Sequence, residues 1–174
     1  MIRGIMGAAG AGKDTLGEII CKQDPEFVPV AFADPLKLGA AFTFGIKIEN
    51  FYDRDLKEKV IPQWGMSPRQ IAQKFGAGMR EVFGEDFWIR RMSNMIEEFD
   101  VKKLVITDVR YQNEIDFVHN NEGQVLGVVR PGVDPVAEHD SEELAKQVHA
   151  VADVVFTNDG SIEDLRAKWI EHIE

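Results

Sequence analysis

Residues 7–13 read Gly-Ala-Ala-Gly-Ala-Gly-Lys and satisfy Gly-x4-Gly-Lys, directly after an apolar stretch and directly before an amphipathic one. That spacing suits phosphate binding. Glycines let the backbone curl so that successive N–H groups point at phosphate oxygens, and a helix N-terminus adds positive potential. Gly10, Ala11, Gly12, Lys13, Asp14 and Thr15 are the candidate cradle, with Lys13 as a mobile point charge for β- and γ-phosphates. Asp14 stands where a hydroxyl is usual. Its carboxylate is a stronger ligand for Mg²⁺ than a hydroxyl; equally, it suits the first helical turn as an acid favoured by the dipole. Asp108 closes a second apolar run, LVITD, where an acid could serve a metal or an acceptor, or could cap the next helix. Arg110 and Glu114 follow it at once.

The remaining cations come singly, among them Lys37, Arg54, Arg69 and Arg130. Lys37 and Arg69 each follow a helix-capping signal, and a first turn prefers acids. A cation there points to an anionic ligand. Trp88 has two readings, a base-stacking ring or a core aromatic. His139 has no Cys or His at ligand spacing, which leaves no zinc site, and no Gly-x-Ser-x-Gly elbow is present.

These residues need a scaffold of strand ends and helix starts, and the hydrophobic pattern supplies one. IRGIM (2–6), FVPVAFA (27–33), KKLVIT (102–107), QVLGVV (124–129) and ADVVF (152–156) read as five strands, with Pro29 placing the second at an edge. Amphipathic helices alternate with them, which is the pattern of an α/β chain with a parallel sheet. The first helix starts near Gly12 and turns Leu16, Ile19 and Ile20 inward. Asp34-Pro35 reads as an N-cap and first helical residue; Ser67-Pro68 with Gln70 caps a helix through about Glu81. Phe87, Met92, Met95, Ile96 and Phe99 form a helical stripe, and Ile115 and Val118 mark another helix. Ser161 with Asp164 caps the last one, with Ile162, Leu165, Trp169 and Ile173 inward. Residues 45–66 lack a period and read as a substrate-covering loop or mobile helix. In a parallel sheet, ligands gather beyond the carboxyl ends of the strands.

Bulk properties narrow the class. A chain of 174 residues suits one domain, 1–174, and 44% hydrophobic with 29% charged residues suits a soluble globular protein. The net charge of −10 argues against a broad nucleic-acid surface or an anionic-membrane binder. The N-terminus enters a strand at once, without a signal or transit peptide, and the apolar run 40–46 is too short to span a bilayer. The single Cys21 fits a reducing cytoplasm, the host's if the chain is phage-encoded. No long apolar seam decides between monomer and homodimer.

GKDT (12–15), ADPLK (33–37), SPRQIAQKFG (67–76), FW (87–88), TDVRYQNE (107–114), VVRPG (128–132), HDSE (139–142) and TNDGS (157–161) together resemble the bacteriophage-type deoxynucleoside monophosphate kinases over nearly the whole chain. The resemblance implies a three-layer P-loop NTPase fold of the NMP-kinase-like kind. It also implies Mg²⁺-dependent transfer of the ATP γ-phosphate to a small-molecule deoxynucleoside monophosphate. By position it puts the donor phosphates on Gly10–Thr15. Lys37, Arg54, Arg69, Gly76, Trp88, Asp108, Arg110 and Glu114 fall at the acceptor, with 45–66 as a flexible acceptor-side segment. Asp14 and Asp108 fall at the metal. Arg130 opens a short lid-like segment, 131–141, and Asn158 and Gly160 fall at the adenine edge; Lys13, Asp108, Arg110 and Arg130 carry catalysis. Two other readings of the loop stand beside this one: a P-loop kinase for phosphomevalonate or a coenzyme precursor, and a non-catalytic nucleotide switch.

Overall fold

The computed structural model describes residues 1–133 and 144–174, which divide into two compact units. The first comprises Met1–Ala31 and Ser93–Glu174, the second Phe32–Met92.

In the first unit five strands form one sheet: β1 (Ile2–Met6), β2 (Phe27–Val30), β3 (Lys103–Ile106), β4 (Gln124–Val129) and β5 (Val154–Thr157). Their order is β2-β3-β1-β4-β5 and every pairing is parallel. β1, β3 and β4 are nearly continuous in apolar residues because parallel strands are covered on both faces. Pro29 lies on β2, an edge strand as expected, where its missing N–H costs least. β2 ends at Val30, three residues before the expected end, and β5 begins at Val154 rather than Ala152.

Side-chain alternation separates the layers. Ile5, Val105, Leu126 and Val128 share one cluster with Leu16, Ile19 and Ile20 of α1 (Lys13–Gln23) and with Leu165 and Trp169 of α8 (Ile162–Ile173). On the opposite face, Gly4 lies against Val118 of α6 (Gln112–Asn120), and Gly127 against Val148 of α7 (Val148–Val151). Helix, sheet and helix thus make three layers, as expected. Ser161 and Asp164 form the expected capping box of α8. Ile162 and Ile173 are nevertheless exposed, because they sit on the first and last turns, beyond the part of the helix that covers the sheet.

The second unit holds α2 (Ala33–Phe44), α3 (Glu49–Tyr52), a 3-10 turn at Leu56–Glu58, α4 (Pro68–Phe83) and the start of α5 (Phe87–Glu98), whose remainder belongs to the first. Ser67 and Gln70 cap α4 reciprocally, as the sequence predicts. Asp34 does not cap α2. The helix begins at Ala33 with Phe32 at the cap position, and the Asp34 carboxylate accepts instead from Tyr52 Oη at 2.8 Å. Residues 45–66 are not an open loop: Ile46, Ile48, Phe51, Ile61, Trp64 and Met66 pack around Ala40, Ala41 and Ile71. In the apolar stripe of α5, Met92 is buried and Phe87, Met95 and Ile96 are half-buried, but Phe99 lies beyond the helix and is exposed. No described helix is long and apolar enough to cross a membrane.

Candidate active site

All five strands run the same way, so their carboxyl ends share one edge of the sheet. The Gly-rich loop leaves β1, Asp108 follows β3, Arg130 follows β4 and Asn158 follows β5. Because β1 lies between β3 and β4, the loop is flanked by Asp108 on one side and Arg130 on the other. The Val109 N–H donates to the Ile5 carbonyl at 3.1 Å, which carries the 107–109 segment alongside β1.

Backbone conformation makes the loop. Gly7, Gly10 and Gly12 have φ of 144°, 82° and 109°, values that side-chain-bearing residues rarely adopt. A Cβ on Gly7 would collide with the Val128 carbonyl oxygen, and one on Gly12 with the Asn158 amide. Gly12 is also the N-cap of α1, which begins at Lys13 as expected. Lys13 Nζ donates to the carbonyls of Gly7 and Ala8, both at 2.8 Å, so the ammonium is folded over the loop it follows. Asp14 is exposed in the first turn of α1.

Glu114 is 2% exposed and its Oε2 accepts from the N–H groups of Arg110 (2.7 Å) and Tyr111 (3.2 Å). It therefore fixes the turn that presents Arg110 at the start of α6. Arg130 is exposed.

In the second unit, Lys37 Nζ lies 4.0 Å from Asp34 Oδ1 and 4.1 Å from the centroid of the Tyr52 ring. Lys37 sits a full turn beyond the start of α2, outside the first turn in which the sequence reading put it. Arg69 is in the first turn of α4, and its Nε donates to Glu58 Oε1 at 2.6 Å. That carboxylate answers for part of the cation's placement. Arg54 is exposed in the turn after α3, between Tyr52 and Glu58 in sequence. Gly76 is buried, its Cα facing Leu36 so closely that a Cβ would come within 2.5 Å of Leu36 Cδ1. The Gly76 carbonyl accepts from Trp88 Nε1 at 3.2 Å. With 5% of its surface exposed and Phe87 edge-on against it at 4.8 Å, Trp88 is a packing residue and not an open stacking platform.

Sequence reasoning missed Tyr52, which joins Asp34 and Lys37 into one cluster, and Lys168. Lys168 Nζ donates to the Thr157 carbonyl (2.6 Å) and Asp159 Oδ1 (2.7 Å), holding the loop after β5. The Lys168 hydrogen bond keeps the Asp159 carboxyl below the usual carboxylate range; the Ser161 backbone N–H, then its hydroxyl, do the same for Asp164. A depressed folded-state value means these contacts are present at neutral pH and fade only as acid protonates the two groups. FYDRD (51–55) hints at Tyr52 by its density of polar groups; nothing local to Lys168 marks it.

Among the described residues no group of three or more His, Cys, Asp or Glu side chains could hold a metal ion. Mg²⁺ does not require one: it is typically bound by one or two carboxylates plus substrate phosphates and waters. Asp14 and Asp108 lie on the same sheet edge as the loop, and carboxylates are the donor type that such a site uses. The segment HDSE (139–142), with His139, and the lid-like stretch from residue 134 to 141 lie outside the described residues.

Two solved structures share the fold. Dephospho-CoA kinase from Campylobacter jejuni superposes with a TM-score of 0.56 at 15% identity, covering 99% of this chain and 94% of that one. A Thermus thermophilus protein, TT1252, gives 0.52 at 18% identity, covering 99% and 96%. A relative from Acanthamoeba polyphaga mimivirus, described as "Putative deoxynucleotide monophosphate kinase", is 28% identical over 98% of this chain and 95% of its own length. The profile of the deoxynucleotide monophosphate kinase family matches residues 45–169, well over half of the chain. Phosphate loop, parallel sheet and family match agree: the chain belongs to the deoxynucleotide monophosphate kinase family and is a nucleoside monophosphate kinase, a phosphotransferase that takes ATP as its phosphate donor.

Proposed function

We propose that the protein transfers the γ-phosphate of ATP to a deoxynucleoside 5′-monophosphate, giving the diphosphate and ADP, with Mg²⁺ as the metal and the whole chain acting as one kinase domain. The observation that carries this is the loop between β1 and α1, whose positive-φ glycines and Lys13 match a polyphosphate in shape and charge. A phosphate oxygen of the acceptor attacks the γ-phosphorus in line, and the bond from that phosphorus to the bridging β–γ oxygen breaks as ADP leaves. The attacking oxygen is already ionised at pH 7, so no strong base is needed. The protein's work is positioning and charge neutralisation.

On arrival of ATP, Lys13 exchanges its two carbonyl partners for phosphate oxygens, with Gly10–Thr15 around the donor phosphates. Arg110 and Arg130 neutralise the phosphoryl groups in transfer. Glu114 acts through the turn it fixes. Lys37, Arg54 and Arg69 attract the anionic acceptor, Lys37 from its place beside Asp34 and Tyr52. Gly76 and Trp88 support the helix that carries Arg69. Mg²⁺ would be held by Asp14 and Asp108 and would supply charge neutralisation across the β- and γ-phosphates.

An ADP-release assay over dAMP, dGMP, dCMP, dTMP and their ribo-forms tests the reading. At least one deoxynucleotide is expected to raise turnover well above the ATP-only rate; a flat response across the panel refutes it. A separate prediction concerns Asp14. Asp14→Ser should tighten binding of metal-free ATP, by removing a carboxylate from the phosphate site, and raise the Mg²⁺ concentration needed for half-maximal ATP binding. Calorimetry with and without chelator measures both. An unchanged Mg²⁺ requirement would leave Asp14 as a helix-start acid, with a stability change of about 0.3–1 kcal/mol.

A further inference from the structure

Asn158 lies 147 positions from Ala11 in sequence, yet its Nδ2 donates to the Ala11 carbonyl at 2.8 Å. A carbonyl only accepts, so the amide nitrogen and not the amide oxygen must face it. We propose that Asn158 is a positioning residue for the phosphate loop: it sets the Ala11–Gly12 peptide so that the Gly12 N–H is presented to the donor's phosphates. The inference rests on reading that loop as the ATP phosphate site and adds a determinant of its geometry.

The Gly10–Ala11 peptide is held by the Ala11 N–H, which donates to the Ala8 carbonyl at 3.1 Å, whereas the Ala11–Gly12 peptide is followed by a glycine at φ 109° with no side chain of its own to fix its orientation. In a trans peptide the C=O and N–H point in opposite directions. A bond that fixes the Ala11 carbonyl on the Asn158 side therefore aims the Gly12 N–H the other way. Donation to the carbonyl also polarises the amide and strengthens its N–H as a donor.

Asn158 is itself held. Its backbone N–H donates to the Val129 carbonyl at 2.7 Å, next to Arg130. Lys168 ties the preceding carbonyl and the following carboxylate. The Ser161–Asp164 capping box anchors the loop's far end. Gly12 also leaves the space that the Asn158 amide occupies. The side chain that the family resemblance puts at the adenine edge is thus spent on the loop backbone.

The two roles separate by ligand. Kd values for ATP, GTP and inorganic tripolyphosphate are compared in the wild-type chain, N158A, N158D and K168M, with melting temperatures and acceptor KM at saturating ATP. N158A is expected to weaken all three ligands by one common factor, about tenfold, with the acceptor KM unchanged. N158D should be worse than N158A at neutral pH, since it sets a carboxylate against the Ala11 carbonyl and beside the phosphates. K168M leaves Asn158 in place but loosens its loop, so it should lose less in the same direction. Loss confined to ATP, or unchanged tripolyphosphate affinity in N158A, overturns the proposal. If N158A does not fold, K168M decides, and wild-type tripolyphosphate affinity there overturns it. Tripolyphosphate has neither base nor acceptor, so the outcome is independent of which monophosphate the enzyme phosphorylates.

Discussion

Lys13→Ala should reduce turnover by roughly a thousandfold while leaving the fold intact. The ammonium is the cationic side chain built into the phosphate loop, and removing one well-placed donor to a developing phosphoryl charge costs about a hundred- to a thousandfold. In the proposed reaction Lys13 is also the point charge that offsets the mutual repulsion of the β- and γ-phosphates, which puts the expected loss at the upper end. The structural cost is small. Its hydrogen bonds to the carbonyls of Gly7 and Ala8 lie in a part-buried position that water can reach. Replacing such bonds by water costs about 1 kcal/mol, or a few degrees in melting temperature for a chain of this length. Single-turnover assays and thermal melts measure the two quantities separately. Turnover within tenfold of wild type, with a native-like melt, would remove Lys13 from the mechanism.

Local signals carried most of the fold. The Ser67 and Ser161 caps depend on residues three apart, and the strands β1, β3 and β4 depend on short apolar runs, so both kinds of element can be read without knowing the tertiary structure. The misreadings have tertiary causes. Asp34 has an N-cap's residue type and a following proline, but the Tyr52 hydroxyl, eighteen residues on, takes its carboxylate. Residues 45–66 show no period because their helices are only one turn long, and a single turn cannot register a 3.6-residue repeat; they pack through apolar side chains scattered across the segment. Phe99 fits the spacing of its stripe but falls past the helix end.

The candidate site divides in the same way. The positions of the loop and of Asp108 were legible because each sits at a strand's carboxyl end, which pattern alone identifies, whereas Arg130 entered only through the family resemblance. The placement of Glu114 was not, since a buried carboxylate capping a turn looks, in sequence, like a ligand-facing group; Trp88 carried two readings, and its burial matches the core aromatic. Asn158 needed the fold outright: only the order β1-β4-β5 brings its loop to Ala11.

Gly7 offers the largest expected effect on stability. Its φ of 144° is one that an alanine adopts only under strain, and the position where a Cβ would stand is already occupied by the Val128 carbonyl oxygen. That oxygen belongs to β4, which pairs with β1 immediately before the loop, Met6 opposite Gly127. It cannot move aside as a side chain would. Gly7→Ala must therefore pay for backbone strain and for prying β4 from β1, together about 2–5 kcal/mol, or roughly 5–15 °C in melting temperature. Gly10→Ala is the matched control. Gly10 also has positive φ, 82°, but a Cβ there meets nothing within 4 Å, so only the strain remains and the loss should be about 1–2 kcal/mol. Thermal and denaturant unfolding of both variants measure the difference between them, which isolates the collision with β4. A Gly7→Ala protein that melts no lower than Gly10→Ala would mean that the start of the phosphate loop is free to shift away from β4. The strand pair would then not be what fixes the loop's first turn.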